Sequence, residues 1–254
     1  MLRVVLIGNG NVAFHLHKAL LNSPLVSLEY LAARRPSGFE GFDPHIPRGD
    51  LAHPLPEADF YLLAVSDQAV AGVSRMLAPY KGMVCHTSGA LGVEALSGVG
   101  RKGVLYPLQT FSRERDIDFS RIPLCIETEN PSDARFLKRL AGALSHHVAE
   151  VDSNRRRRLH LAAVFLNNFS NHMVFLAEAL CQKEGLPNAL LKPLLKETFE
   201  KLEAMPAYDA QTGPARRGDL KSMEAHLSLL ADPLTREVYS LISKSIQRTY
   251  DQKL

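Results

Sequence analysis

The stretch Leu2-Arg3-Val4-Val5-Leu6-Ile7-Gly8-Asn9-Gly10-Asn11-Val12-Ala13 decides the fold of this chain. A short apolar run breaks at Gly8-Asn9-Gly10, and a helical pattern opens at Ala13. This is a G-x-G-x-x-A turn placed where a first buried strand hands over to a first helix. Gly8 permits the tight turn, Gly10 lets a pyrophosphate approach the backbone, and Ala13 lets the helix lie close to the sheet. The helix N-terminus adds unpaired N–H groups and a partial positive charge. Gly8, Asn9, Gly10, Asn11 and Val12 are therefore candidate contacts for a dinucleotide. Glycines also serve ordinary turns; the strand-turn-helix setting is what favours the ligand.

Outward from this turn, strands and helices alternate as in a parallel sheet covered on both faces. The pattern predicts a helix over 11–21, a strand over 26–33, a buried strand over 59–65 and a helix over 67–78. Short strands follow over 83–86, 104–106 and 123–127, a helix opens at Pro131, and a strand over 147–151 closes the sheet. Pro44, Pro47, Pro54 and Pro56 mark an irregular stretch. From Asp152 onward only helical patterns occur, broken at Gly185-Leu186-Pro187, at 205–214 and at Asp232-Pro233. The expected fold is thus α/β: a Rossmann-like, mostly parallel sheet domain over 1–151, then an all-helical domain over 152–254. The first helix of that domain, over 154–184, is apolar on more than one stripe. Such a helix is normally buried on several sides and would form the domain's spine.

Composition narrows the function classes. The chain has 254 residues, 46% hydrophobic and 22% charged, with a formal net charge of +3. Such a balance does not suit a nucleic-acid binder. Arg155-Arg156-Arg157-Arg158 does not alter this, because four consecutive helical residues point around the whole cylinder. They read as a solvated first turn, one of them free to reach cofactor phosphates or an acidic partner. Cys85, Cys125 and Cys181 lack C-x-x-C spacing and sit in apolar patterns, which fits buried thiols in the cytoplasm. The first apolar run ends too soon for a signal peptide, and Asn167, Asn168, Asn171 and His172 interrupt the longest apolar helix, so no membrane span is expected. The histidines lack metal-ligand spacing, and no metal is expected.

The second strand selects the cofactor. An acidic residue at its end would accept bonds from a ribose 2′-hydroxyl, whereas this strand ends in Arg34-Arg35-Pro36-Ser37. Guanidinium groups bind a 2′-phosphate through charge-assisted bonds, so Arg34, Arg35 and Ser37 point to NADP. Val65, Ser66 and Asp67 follow a buried strand at the edge where open α/β sheets collect ligands, and Thr87 and Ser88 follow the next. Helix capping is the ordinary alternative for Ser66 and Asp67.

Taken together, VLIGNGNVA, LLAVSD, HTSGA, YPLQTF, HLAAVFLNNFSNH and QTGPARRGD resemble Rossmann-like proteins whose C-terminal part is a domain of unknown function. That group is related to pyrroline-5-carboxylate reductase, ketopantoate reductase and the β-hydroxyacid dehydrogenases. The resemblance implies an NADP-dependent oxidoreductase with a helical second domain like that of 6-phosphogluconate dehydrogenase, dimerising through it. The β-hydroxyacid dehydrogenases carry a catalytic lysine one turn before an asparagine on the first long helix. Here Val164 stands in that place, which argues against a simple hydroxyacid dehydrogenase.

On that helix His160, Val164, Asn168 and Asn171 fall within roughly 80° of one another at 100° per residue, a polar strip on an apolar helix. Hydride delivery to a C=N or C=O bond needs a proton donor, and histidine titrates in the right range. His160 is the candidate donor, with Asn168 and Asn171 orienting the substrate; a hydrogen-bonded core histidine is the alternative. Gln109 and Thr110 of YPLQTF are candidate substrate contacts. So are Thr212, Gly213 and Arg216, where a Gly-Pro turn opens a helix suited to an anion; pyrroline-5-carboxylate reductase uses a similar turn against its substrate's carboxylate. The expected function is reduction of a small, anionic metabolite by NADPH, with the substrate site between the domains and a homodimer through the helical one. The alternatives are a non-catalytic NADP-binding sensor or scaffold and a deazaflavin-dependent reductase.

Overall fold

The computed structural model describes residues 1–35 and 38–251. Among them the chain divides into two compact units, Met1–Asn168 and Phe169–Leu254.

The first unit is built on one eight-stranded sheet in the order β3-β2-β1-β4-β5-β6-β7-β8. The strands are β1 (Leu2–Ile7), β2 (Val26–Ala32), β3 (Arg48–Gly49), β4 (Phe60–Leu63), β5 (Met83–His86), β6 (Lys102–Pro107), β7 (Leu124–Thr128) and β8 (Val148–Glu150). All neighbours are parallel except β6 and β7. Because successive side chains point to opposite faces, the continuous apolar runs feed two cores at once. Val4 and Leu6 join Leu62 and Cys85 on one face. Val5 and Ile7 join Tyr61, Leu63 and Val84 on the other. Helices α1 (Asn11–Asn22) and α3 (Pro131–Leu144) close the first face with Leu16, Leu20, Leu137 and Leu140. Helix α2 (Asp67–Met76) closes the second with Val70. The chain leaves β1 toward β2 on one side and returns to β4 on the other. This reversal is the switch point at which ligands bind beyond the carboxyl ends of the strands.

The elements fall where periodicity placed them, with one addition. The two-residue strand β3 lies in the proline-rich stretch and is too short to leave a pattern. It exists because β2 offers a free edge, to which Leu31 and Ala32 pair Arg48 and Gly49.

The long helix departs from expectation in two ways. It is α4 (Ser153–Ala163), a six-residue π-helical segment (Val164–Phe169) and α5 (Ser170–Lys183). The i→i+5 bonding of a π segment changes the angular step, so the strip computed at 100° per residue does not hold across it. The boundary between the two compact units falls along the sequence within this segment, after Asn168. The arginine run explains why α4 belongs with the sheet. Arg156 is not solvated: it is fully buried, paired with Glu127 of β7, and donates to the carbonyl oxygen of Leu91 at 2.5 Å. Arg157 reaches Glu94 at 2.7 Å and the Ala90 carbonyl at 3.0 Å. Arg155, paired with Asp152, and Arg158 are exposed as expected, and Arg157 is exposed while bonded. The expected burial of the apolar stripes is also absent in the single chain, where Leu161, Phe165, Leu166 and Phe175 are exposed.

The second unit is helical: α5, α6 (Lys192–Ala204), α7 (Ala207–Ala210), α8 (Pro214–Arg217), α9 (Leu220–Leu229) and α10 (Pro233–Asp251). Asp219 caps α9 by accepting the Ser222 amide. Tyr250 of α10 donates to the Tyr208 carbonyl at 2.5 Å, fixing α7 to α10.

Candidate active site

At the end of β1, Gly8 sits at φ +127, and a Cβ there would lie 2.1 Å from the Ala64 carbonyl oxygen. A side chain is therefore excluded twice, by conformation and by the neighbouring strand. At Gly10 an added Cβ would meet nothing within 4 Å. The bend is thus tight behind and open in front, as a backbone site for a phosphate requires. Gly10 caps α1 without a side-chain bond, and the first turn holds no acidic residue. The positive end of the helix is left uncompensated for an anion. Asn9 donates from Nδ2 to the Arg35 carbonyl at 3.0 Å, which links the bend to the end of β2. Asn11 donates to the Phe111 carbonyl at 2.9 Å, so its side chain serves the loop after β6. Arg34 and Arg35 are exposed, and neither has an ion pair or side-chain hydrogen bond among the described residues. Both remain available to a 2′-phosphate. Ser37 lies outside the described residues.

Beyond β4, Val65 is half-buried while Ser66 and Asp67 are exposed. Ser66 occupies the N-cap of α2 but makes no side-chain capping bond, so capping does not use its hydroxyl. Beyond β5 the hydroxyls are committed. Thr87 donates to the Leu63 carbonyl at 3.3 Å, and Ser88 Oγ accepts the amides of Ala90 and Leu91. His86 shapes the same turn from within. Its Nδ1 accepts the Ser88 amide, so Nε2 carries the proton and donates to the Gly92 carbonyl at 3.1 Å. Burial pushes the His86 pKa down to about 4, which keeps it neutral.

This turn carries Gly89, and against Gly89 lies His160. A Cβ on Gly89 would come 2.7 Å from His160 Nδ1 and 2.8 Å from Tyr106 Cζ. The two rings meet in the space that the glycine leaves, edge to face, with Tyr106 Oη 3.0 Å from His160 Nδ1. Tyr106 is buried, and desolvation raises its phenol above the ordinary range, so it stays protonated. His160 is only half-buried, and Nε2 makes no hydrogen bond within the described residues. The pair therefore presents one imidazole nitrogen held from behind by a neutral phenol. Helix α4 is fixed here by Arg156, one turn before His160, and by Arg157. Both grip the backbone of the Gly89 turn, at Leu91 and Ala90. Glu127 neutralises Arg156 and also accepts from Ser153 at 2.8 Å.

His160 thus lies with the bend, Ser66, Asp67, Thr87 and Ser88 in one unit, near the carboxyl edge of its sheet. Asn168 closes that unit and is exposed in the π-helical segment. Gln109 and Thr110 are exposed on the loop after β6, Gln109 accepting the Thr110 amide at 2.8 Å. Asn171, Thr212, Gly213 and Arg216 belong to the second unit. Asn171 and Thr212 are exposed, and Gly213 sits at φ +105 before α8. Arg216 donates to the carbonyls of Gln211 and Asp209 and stacks over Tyr250 at 4.9 Å. Its guanidinium is used inside its own unit rather than held free for an anion. Tyr106 was not among the residues singled out from the sequence; its place at the carboxyl end of a strand was the available signal. Arg156 carried a misleading one, being part of a charge run.

Comparison with known proteins follows this geometry. A solved structure from Bacteroides fragilis, described as a "putative NADP oxidoreductase", is 37% identical over 97% of this chain and 98% of that one, with a TM-score of 0.88. The chain belongs to the same family. A family model described as a domain of unknown function (DUF2520) matches residues 122–246. No curated protein matches the sequence. More distant likenesses show the shared fold. A reductive aminase from Aspergillus terreus, in complex with NADPH and ethyl-5-oxohexanoate, is 12% identical over 99% of this chain and 94% of its own, with a TM-score of 0.69. The 1-pyrroline-5-carboxylate reductase of Streptococcus pyogenes is 15% identical over 98% of each chain, with a TM-score of 0.61.

Proposed function

We propose that the protein is an NADPH-dependent oxidoreductase acting on a C=N or C=O carbon of a small, anionic metabolite. The observation that carries this reading is the sharing of one sheet edge by an open glycine bend and a half-buried histidine whose Nε2 has no hydrogen bond among the described residues. The similar structures, a "putative NADP oxidoreductase" and, at 12–15% identity, a reductive aminase and a 1-pyrroline-5-carboxylate reductase, support it.

The residues fit the cofactor. Gly8, Asn9, Gly10 and the first-turn amides of Asn11 and Val12 would hold its pyrophosphate, Arg34 and Arg35 its 2′-phosphate, and Val65, Ser66 and Asp67 the ribose beyond. NADPH supplies the hydride when bound. The protein's share is the proton and the geometry. As imidazolium, His160 donates Nδ1–H to Tyr106 Oη and presents Nε2–H to the nascent amine or alkoxide. After transfer it is left neutral, with the Tyr106 bond intact. Asn168, Asn171, Gln109, Thr110, Thr212, Gly213 and Arg216 are proposed to contact the substrate, Arg216 only after release from the carbonyls it now holds. We place the protein in the cytoplasm as a homodimer through its helical unit. The exposure of Leu194, Leu229 and Leu241 there supports self-association, and size-exclusion chromatography with light scattering reads it directly.

The test follows NADPH oxidation at 340 nm with a panel of cyclic imines and 2-oxoacids, for wild type and His160→Ala. Turnover of a panel member, lost in His160→Ala with NADPH affinity retained, is the expected result. Equal turnover by the variant would reject His160 as donor. NADPH binding without turnover of any member would favour the sensor reading.

A further inference from the structure

The loop after β6 is strapped along one face of α1. Asn11, His15 and Lys18, spaced one turn apart, reach Phe111 O at 2.9 Å, Ser112 O at 3.0 Å and Asp116 at 2.7 Å. The strap carries Arg113, whose guanidinium donates to the carbonyl oxygen of Asn9 and, at 3.2 Å, to that of Glu40. It lies over the rings of Phe14 and Phe42 at 5.4 and 5.8 Å. Asn9 is the central residue of the glycine bend, and its side chain donates to the Arg35 carbonyl.

We infer that Arg113 is a positioning residue for the pyrophosphate of the dinucleotide, acting on the bend through the Asn9 carbonyl. This rests on the cofactor reading above. A peptide unit is planar, and its C=O and N–H point in opposite directions. Fixing the Asn9 carbonyl against Arg113 therefore fixes the Gly10 N–H of the same peptide unit on the side away from Arg113. The fork that binds Asn9 and Glu40 uses two of the five N–H donors of a guanidinium. The rest, with the whole charge, stay beside the bend. The aromatic stacking against Phe14 and Phe42 keeps the plane from turning away. A lysine at this position would keep the charge but could not hold both carbonyls in a fixed plane.

The experiment measures the dissociation constants of NADPH and adenosine 2′-monophosphate for wild type, Arg113→Met and Arg113→Lys. The monophosphate has the 2′-phosphate but no pyrophosphate. Arg113→Met is expected to weaken NADPH at least tenfold and the monophosphate less than twofold, with Arg113→Lys recovering only part of the loss. An unchanged NADPH constant, an equal loss for both ligands, or full rescue by lysine would each overturn the inference. Wild-type protein that bound neither ligand would instead overturn the cofactor reading, and this inference with it.

Discussion

Replacing Glu127 by glutamine should destabilise the first unit more than any surface change, through the charge it leaves behind. Arg156 is fully buried, and Glu127, itself only 16% exposed, is its ion-pair partner among the described residues. Glutamine keeps the volume and can still accept from Ser153, but it no longer neutralises the guanidinium. Removing one partner of a buried pair costs about 3–5 kcal/mol. Folded domains are stable by only about 5–15 kcal/mol, so the loss is a large share of the total. With a urea m-value of about 1–3 kcal/mol/M, the midpoint should fall by roughly 1–5 M. Arg156→Met should cost less, because Glu127 keeps Ser153 and some water. The double variant should then be more stable than Glu127→Gln alone, since no charge remains stranded. Urea unfolding followed by far-ultraviolet circular dichroism measures all three. A Glu127→Gln midpoint within 0.3 M of wild type (about 1 kcal/mol or less), or strictly additive losses in the double variant, would refute the buried-clamp reasoning.

Other outcomes follow from the same geometry. Gly89→Ala places a Cβ 2.7 Å from His160 Nδ1, so the ring must move; turnover should fall about a hundredfold while NADPH binding holds, and unchanged turnover would reject that placement. Tyr106→Phe removes the hydroxyl that holds His160 Nδ1, so turnover should fall while NADPH binding holds, and unchanged turnover would reject Tyr106 as the support of the ring. Loss of Arg34 and Arg35 should erase a tenfold or greater preference for NADPH over NADH in binding titrations, as expected of charge-assisted bonds worth about 1.5–3 kcal/mol. His86, held at about 4 by burial against 6.5 when unfolded, binds fewer protons folded than unfolded between those values. Its contribution, roughly 3 kcal/mol, should be present above pH 6.5 and lost as the pH falls toward 4. The loss should be smaller in His86→Asn, measured by urea unfolding at each pH.

What the sequence made legible was what is local. The glycine bend, the two-sided burial of β1, β4 and β5, and the change to helices after the sheet are written in neighbouring residues. The strand β3 was not, because two residues paired to an edge leave no periodicity. The clamp was hidden for a different reason. Arg156 finds Glu127 29 positions back and Leu91 65 positions back, and a run of four arginines gives no sign which one turns inward. Tyr106 and His160 are 54 apart, and only the fold brings their rings onto Gly89. The π-helical segment likewise defeats an angular count made at a constant step. Arg113 lies 104 residues from the bend that it holds, with nothing nearby in sequence to mark it.

The most direct measurement is a crystal structure of the protein with NADP bound. The pyrophosphate should lie on the Gly10 bend, the 2′-phosphate against Arg34 and Arg35, and the nicotinamide beside the Gly89 turn with C4 open toward His160. A nicotinamide ring lying away from His160, or a dinucleotide bound anywhere but the bend, would contradict the account.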